Sequence, residues 1–317
     1  MAHALTVPPG GKAASRVAAR YPFFATPYSL ELAAECPGFA KQVFPDPREL
    51  SDAGSMPADP FGETGRAAAA VPGLKQRYPD RVLVMAAAGC AMRCRHCTRK
   101  GMLGTAQTMS APESVAKAVA WIEKHPRVRD VLVSGGDPLV LPDAAVARLH
   151  DAFASLRQIE SVRICTRAPC TLPMRITPAL VRILARSKKT WVNTHFNCAG
   201  ELTPDAVRAC GMLVDAGIPV SCQTVLLKGV NDTPAKMLAL LRALQRARVR
   251  PYYVFLCDPV AGVSHLRVPA DKARALEKTV AESIGGLAVP RFVADIPGAR
   301  RKTPVSELES VCGPRAF

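Results

Sequence analysis

Gly89-Cys90-Ala91-Met92-Arg93-Cys94-Arg95-His96-Cys97-Thr98-Arg99-Lys100 is the stretch on which the reading of this chain turns. Three cysteines at C-x3-C-x2-C follow directly on the apolar run Val82-Leu83-Val84-Met85-Ala86-Ala87-Ala88, the pattern of a strand that ends in a tight loop of thiols. Three thiolates leave a four-ligand site one short. A structural zinc would need a fourth Cys or His, and so would an iron–sulfur cube held by protein alone. A cube with one iron left open can receive another molecule there. The competing readings are zinc and three unrelated core thiols, since free cysteine is often buried. With Arg93, Arg95, Arg99 and Lys100 around it, the loop reads as too polar for a core.

The 317 residues, 49% hydrophobic, suffice for one large domain with its own core. No apolar run reaches eighteen residues, and Met1 to Arg20 carries Pro8-Pro9-Gly10-Gly11 rather than a signal-type apolar stretch. The expected location is the cytoplasm. Eleven cysteines, an odd number scattered along the chain, favour cluster ligation plus buried thiols over a disulfide framework there. A formal charge of +16 raises nucleic-acid binding as a rival function. Lys and Arg are spread evenly, however, with only Arg186-Ser187-Lys188-Lys189 and Arg300-Arg301-Lys302 as short clusters, and aromatics are 5% of the chain. That composition describes a solvated basic surface better than a base-stacking one.

Residues 1–56 are Pro-rich, with helical patches at Tyr28–Cys36 and Pro47–Ala53 and no recognisable chemistry. Beyond Ala70, short β-branched runs (Val82–Ala88, Asp130–Ser134, Val162–Thr166, Trp191–Phe196, Val220–Leu227, Tyr252–Cys257) alternate with amphipathic stretches (Pro112–Lys124, Pro142–Leu156, Pro178–Ser187, Pro204–Ala216, Pro234–Arg246, Ala270–Ser283). Several helical stretches open with Pro after Thr, as at Thr177-Pro178 and Thr203-Pro204. Six such units predict an α/β fold of parallel βα repeats, too few to close an eight-stranded barrel and so a partial (βα)6 one. In such folds chemistry gathers at the C-terminal ends of strands. Ser134-Gly135-Gly136-Asp137-Pro138 falls at such an end, where two glycines admit a ligand close to the backbone, although Gly-Gly-Asp is also an ordinary turn. His195, in Asn193-Thr194-His195-Phe196-Asn197, falls at another, where a lone histidine is by default a satisfied core residue.

The cysteine loop resembles the signature of the radical S-adenosylmethionine (SAM) enzymes, in which SAM chelates the fourth iron of a [4Fe–4S] cluster. The segment Ser134 to Asp137 resembles the one that holds the amino group of SAM. A narrower resemblance, from about residue 57 to 305, is to the lysine 2,3-aminomutase family. It is carried by Arg77-Tyr78-Pro79-Asp80-Arg81, Cys94-Arg95-His96-Cys97-Thr98-Arg99, Ser134-Gly135-Gly136-Asp137-Pro138-Leu139, Asn193-Thr194-His195-Phe196-Asn197, Gly229-Val230-Asn231-Asp232, Arg250-Pro251-Tyr252-Tyr253 and Lys302-Thr303-Pro304-Val305. It implies a radical SAM barrel over 70–288, preceded by a mostly helical extension (1–69) and followed by a segment carrying the pyridoxal phosphate (PLP) lysine (289–317). Cys90, Cys94 and Cys97 would hold the cluster, and Ser134, Gly135, Gly136, Asp137 and His195 would line SAM. Arg77, Tyr78, Arg81 and Gln223 would surround PLP and SAM, and Lys302 would carry PLP. Arg99 would pair with the substrate carboxylate, and Asp258 and Asp295 would hold its side-chain ammonium. The implied reaction is an isomerisation, L-lysine to β-lysine, supplied with an electron by flavodoxin or ferredoxin.

Physical chemistry supports parts of this independently. A carboxylate asks for a planar bidentate partner, which Arg99 offers. Two carboxylates in one dry pocket repel, so one pKa rises unless a cation lies between them, and such a pocket rejects an acidic side chain. Two departures from the family stand out. Ala299, Arg300 and Arg301 replace most of a glycine run before Lys302, with Arg300 or Arg301 placed to contact phosphate or to block the site, and Phe255-Leu256 replaces more polar residues. The chain stops at Phe317, so the family's Cys-bearing zinc tail has no counterpart and no structural zinc is expected. The alternatives left open are a PLP-independent radical SAM enzyme of the same fold (an epimerase or another C–H functionalising enzyme), arginine or ornithine as substrate, a metal-bound nucleic-acid module, and the oligomeric state, a homo-oligomer included.

Overall fold

The structure, a computed structural model, describes residues 5–51, 56–63, 71–102, 108–299 and 301–308. Among the described residues, nine strands form one open sheet in sequence order: β1 (Leu74–Tyr78), β2 (Arg81–Ala87), β3 (Asp130–Gly135), β4 (Ser161–Cys165), β5 (Thr190–Thr194), β6 (Val220–Leu226), β7 (Arg250–Leu256), β8 (Arg291–Ala294) and β9 (Thr303–Pro304). Strands β2 to β8 are parallel, and β1 and β9 close the two edges antiparallel. The principal crossover helices are α4 (Pro112–Glu123), α5 (Asp143–Ala154), α7 (Pro178–Leu184), α8 (Pro204–Asp215), α9 (Pro234–Arg246) and α10 (Ala270–Ser283), with the four-residue α6 (Ala168–Thr171) after β4. Six βα units therefore stand as the spacing predicts, with a seventh parallel strand and two antiparallel edges added.

Sequential strand order with right-handed crossovers puts the crossover helices on one face. α4 packs on α5, α5 on α7, α7 on α8, and α9 on α10. Alternation along β3 and β4 buries Val131, Val133, Val162 and Ile164 on the helix side, where they join the main core. The other face is left for polar groups. Thr177, Thr203 and Thr233 cap α7, α8 and α9 by accepting from Leu180 N, Ala206 N and Lys236 N, each with proline at the first helical position.

Among the described residues, three helices precede the sheet: α1 (Gly11–Arg20), α2 (Pro27–Glu35) and α3 (Pro37–Val43), followed by a 3-10 turn at Pro47–Leu50. They fold onto the cysteine loop, with Ala25 bridging Met92 and Arg93 N donating to Phe24 O at 2.9 Å. No helix among the described residues is long and apolar enough to cross a membrane.

Candidate active site

The cysteine loop leaves β2 and turns at Cys94–Cys97 and Cys97–Lys100 through i to i+3 backbone bonds. All three thiols are free and half-buried. Burial pushes the Cys97 thiol up to about 11, with the Cys94 charge adding to it, so a metal must displace the proton there. The buried Arg167 guanidinium donates to Cys94 Sγ at 2.9 Å and, through Nη2, to Gln42 Oε1 at 2.6 Å and Glu201 Oε2 at 3.1 Å. Among the described residues, no three His, Cys, Asp or Glu side chains converge on a single-ion geometry. A cube, which asks each thiolate for a different iron, suits three thiols strung along a loop.

The cations that made the loop look too polar for a core are partly buried themselves. Arg95 is 2% exposed, and its Nε donates to Glu49 Oε1 at 2.9 Å. Its Nη2 also pairs with Glu49, and Lys100 Nζ reaches Glu49 Oε2 at 2.8 Å. Glu49 is fully enclosed and comes from the segment in which the sequence offered no chemistry. A charge buried there persists only because it is paired.

Gly135 and Gly136 are needed because main chain lies against them. A Cβ on Gly136 would lie 2.1 Å from Gly89 O, and one on Gly135, at φ +106°, 2.8 Å from Ala87 O. The loops are joined by Gly136 N to Ala87 O (2.6 Å) and Asp137 N to Gly89 O (2.8 Å). The Asp137 carboxylate accepts from Thr166 Oγ1 (2.7 Å), Arg167 N (2.8 Å) and Leu139 N (2.9 Å), which locks the β3 and β4 loop ends together. Ser134 is half-buried on β3 opposite Met85, and Gln223 half-buried on β6 opposite Tyr253. At the end of β5, Asn193 Nδ2, Thr194 Oγ1 and His195 Nε2 are buried without protein partners. Burial, then the Arg167 charge, holds His195 neutral, and its ring stacks on His96 at 5.3 Å. Strand alternation puts Asn193 and His195 on one face, so two buried polar groups without protein partners stand together at this strand end and call for a polar ligand.

The acidic wall lies at the end of β7 and β8. Thr98 Oγ1 donates to Asp258 Oδ2 at 3.0 Å, while Asp258 Oδ1 is buried without a partner. Burial, then the charge of Asp295, pushes Asp258 up to about 7. Asp295 in turn takes two cations: Arg77 Nη1 on Oδ1 at 2.7 Å, and Lys302 Nζ on Oδ2. Lys302 Nζ is 5.3 Å from the Phe255 ring and 5.8 Å from that of Tyr78, whose buried hydroxyl has no partner. Arg81 covers the Tyr78 ring at 4.5 Å and pairs with Asp80. An amine, a buried phenol and flanking guanidiniums form a donor set that suits a phosphorylated aldehyde such as PLP. Arg301 pairs with Glu307, and Arg300 lies outside the described residues.

Arg99 is already engaged. Its Nε and Nη2 each reach a Glu63 carboxylate oxygen at 2.6 Å, a bidentate pair. The structure thus brings Arg77, Tyr78, Lys302, Asp258 and Asp295 together and ties them to the cysteine loop through Thr98. Sequence reasoning missed Gln42, Glu49, Glu63 and Glu201, single residues without a pattern around them.

A family model of the radical SAM superfamily matches residues 85–241. The L-lysine 2,3-aminomutase of Acetoanaerobium sticklandii is 42% identical over 283 residues, covering 88% of this chain and 68% of that one. The chain belongs to the lysine 2,3-aminomutase family. The Fusobacterium nucleatum enzyme of the same name is 41% identical over 284 residues, 88% of this chain and 66% of its own. Like that one, the Clostridium subterminale relative is covered only in part, so this family member spans about two thirds of their length. Streptococcus suis SuiB, solved bound to S-adenosylmethionine, shares the fold at TM-score 0.52 and 17% identity, covering 69% of this chain and 48% of that one. Membership brings a [4Fe–4S] cluster, SAM and PLP as the family's cofactors.

Proposed function

We propose that this chain is an isomerase that moves the α-amino group of L-lysine to C3, giving β-lysine. When bound, the cluster and SAM would supply reversible hydrogen abstraction at C3, and PLP would supply the aldehyde that holds the migrating amino group. In this reading Cys90, Cys94 and Cys97 hold the cluster. Ser134, Gly135, Gly136, Asp137, His195 and Gln223 border SAM, and Arg77, Tyr78 and Arg81 border PLP, which Lys302 anchors. Residues 70–288 act as the catalytic barrel, 1–69 as its cover and 289–317 as the segment that brings Lys302.

The carrying observation is the Asp258–Asp295 pair facing the cysteine loop across Thr98. A long cationic side chain fits between a carboxylate without a cation of its own and one with two. An acidic side chain would add a third negative charge to that wall. Lys302 must leave Asp295 Oδ2 to take its cofactor, which frees that oxygen for the substrate ammonium. Arg99 must exchange Glu63 for the substrate carboxylate, so both ends of the amino acid replace contacts that the chain makes with itself. The electron comes from a reduced flavodoxin or ferredoxin in the cytoplasm.

The test is to incubate reduced, reconstituted protein with SAM, PLP and a panel of lysine, arginine, ornithine and glutamate, and to resolve the products by mass. β-Lysine as the main product is expected, and turnover of glutamate alone would overturn the reading. One observation favours a second reading, PLP-free radical chemistry: Lys302 is ion-paired and a basic segment stands before it in place of glycines. Visible absorbance on adding PLP, lost in Lys302→Ala, supports the first reading, and its absence in the parent protein supports the second.

A further inference from the structure

Outside the proposed active site, two cysteines 162 positions apart face each other: Cys36 Sγ and Cys198 Sγ are 3.4 Å apart, both half-buried. Cys36 lies between α2 and α3, and Cys198 follows the end of β5. Each sulfur lies beside a glycine of the opposite segment. A Cβ on Gly200 would fall 2.8 Å from Cys36 Sγ, and one on Gly38 3.4 Å from Cys198 Sγ. The two segments thus leave room for sulfur where a side chain would have kept them apart.

We propose that Cys36 and Cys198 form a reversible disulfide that fastens the N-terminal helices to the loop after β5. Closing the gap from 3.4 Å to a bond of about 2 Å is a small movement for two half-buried side chains. The chemistry is thiol–disulfide exchange with a small oxidised disulfide such as glutathione disulfide. Cys36 attacks one sulfur of the oxidant and releases the first glutathione. Cys198 then attacks the mixed disulfide at Cys36 and releases the second, so two thiols become one disulfide and two glutathione thiols carry away the protons.

Cys36 is the attacking partner, because the hydrogen bond from Cys198 pulls its thiol below the ordinary range, while the same contact and burial push Cys198 upward. Glu201 Oε1, 3.3 Å from Cys198 Sγ, stands ready to take the proton of the second thiol. The same carboxylate group binds Gln42 and Arg167, so the bridge would form one residue cluster away from the guanidinium on Cys94.

The test uses full-length protein reconstituted with its cluster under anaerobic conditions and treated with glutathione disulfide. Free thiols are then blocked, and the protein is cleaved with trypsin without reductant. Residues 21–41 and 190–208 each carry a single cysteine. The expected result is these two peptides joined, two hydrogens lighter than their sum, and separated by dithiothreitol. Cys36→Ser and Cys198→Ser should each lack the joined species and keep their iron and labile sulfide. Recovery of both cysteines in blocked form, or of a stable glutathione adduct on Cys36 without the joined peptide, would overturn the proposal. The parent protein alone decides between these outcomes, even if a variant folds poorly.

Discussion

Thr98 Oγ1 donates to Asp258 Oδ2 at 3.0 Å, so the residue next to Cys97 is fastened to the acidic wall. Displacement of the cysteine loop is therefore felt at the proposed ammonium site. Thr98→Val should leave iron and sulfide content intact while raising the KM for lysine. A loss of roughly 5- to 10-fold matches one ordinary intramolecular hydrogen bond, worth about 1–1.5 kcal/mol. Steady-state kinetics beside iron analysis separates this from simple cluster loss.

Asp258, pushed up to about 7, is neutral below that pH and a carboxylate above it. Binding of a cationic side chain should strengthen as pH rises through about 7, and Asp258→Asn should flatten that profile and raise KM. Stability runs the other way in the substrate-free protein. The folded state keeps a proton that the unfolded chain releases near about 4. Between those values the unfolded state binds fewer protons, so stability falls as pH rises, by up to roughly 4 kcal/mol. Thermal melts of parent and Asp258→Asn over that interval check the sign: only the parent should lose stability there on this account.

Lys302 pairs with Asp295, the carboxylate proposed to receive the substrate ammonium. PLP loading should therefore tighten lysine binding, by about 5-fold or more if the coupling is of ordinary size. Calorimetric titration of lysine with and without PLP measures it. Equal affinities would separate the lysine from the substrate site.

Glu63 holds the Arg99 fork in a partly exposed ion pair. Such pairs are worth about 0.2–1 kcal/mol, so Glu63→Gln should lower the KM for the amino acid by roughly 1.5- to 5-fold, with kcat little changed. A higher KM would mean that Glu63 positions Arg99 rather than occupying it.

Glu49→Ala leaves Arg95 and Lys100 buried with their carboxylate gone. Breaking a buried network of this kind costs about 3–5 kcal/mol. Urea unfolding should show a lower midpoint, and the cysteine loop should take up less iron on reconstitution.

The six strands and six helices were legible because alternation of buried valines and Thr-Pro starts are local signals, as at Val131/Val133 and Thr203-Pro204. Strand β1 was not: Leu74-Lys75-Gln76-Arg77-Tyr78 is polar, and only its pairing with β2 makes it a strand. Two-residue β9 is likewise held by β8. In the site, the cysteines stood out by their spacing, and Arg99, Asp258, Asp295 and Lys302 were singled out through the family resemblance. Glu49, Glu63 and Glu201 could not be, since a lone acid in a Pro-rich or loop segment has the same local signature whether solvated or buried. The polarity of Arg95 and Lys100 pointed away from a core, while their burial against Glu49 required a contact from about fifty residues upstream.

The contact of Gly136 with Gly89 sets a length standard inside the protein. Because main chain touches main chain there, the separation between the thiol loop and the β3 loop is set by atoms that every amino acid shares. Outer residues of either loop can drift without altering that gauge, whereas a single methyl group at Gly136 would wedge it open.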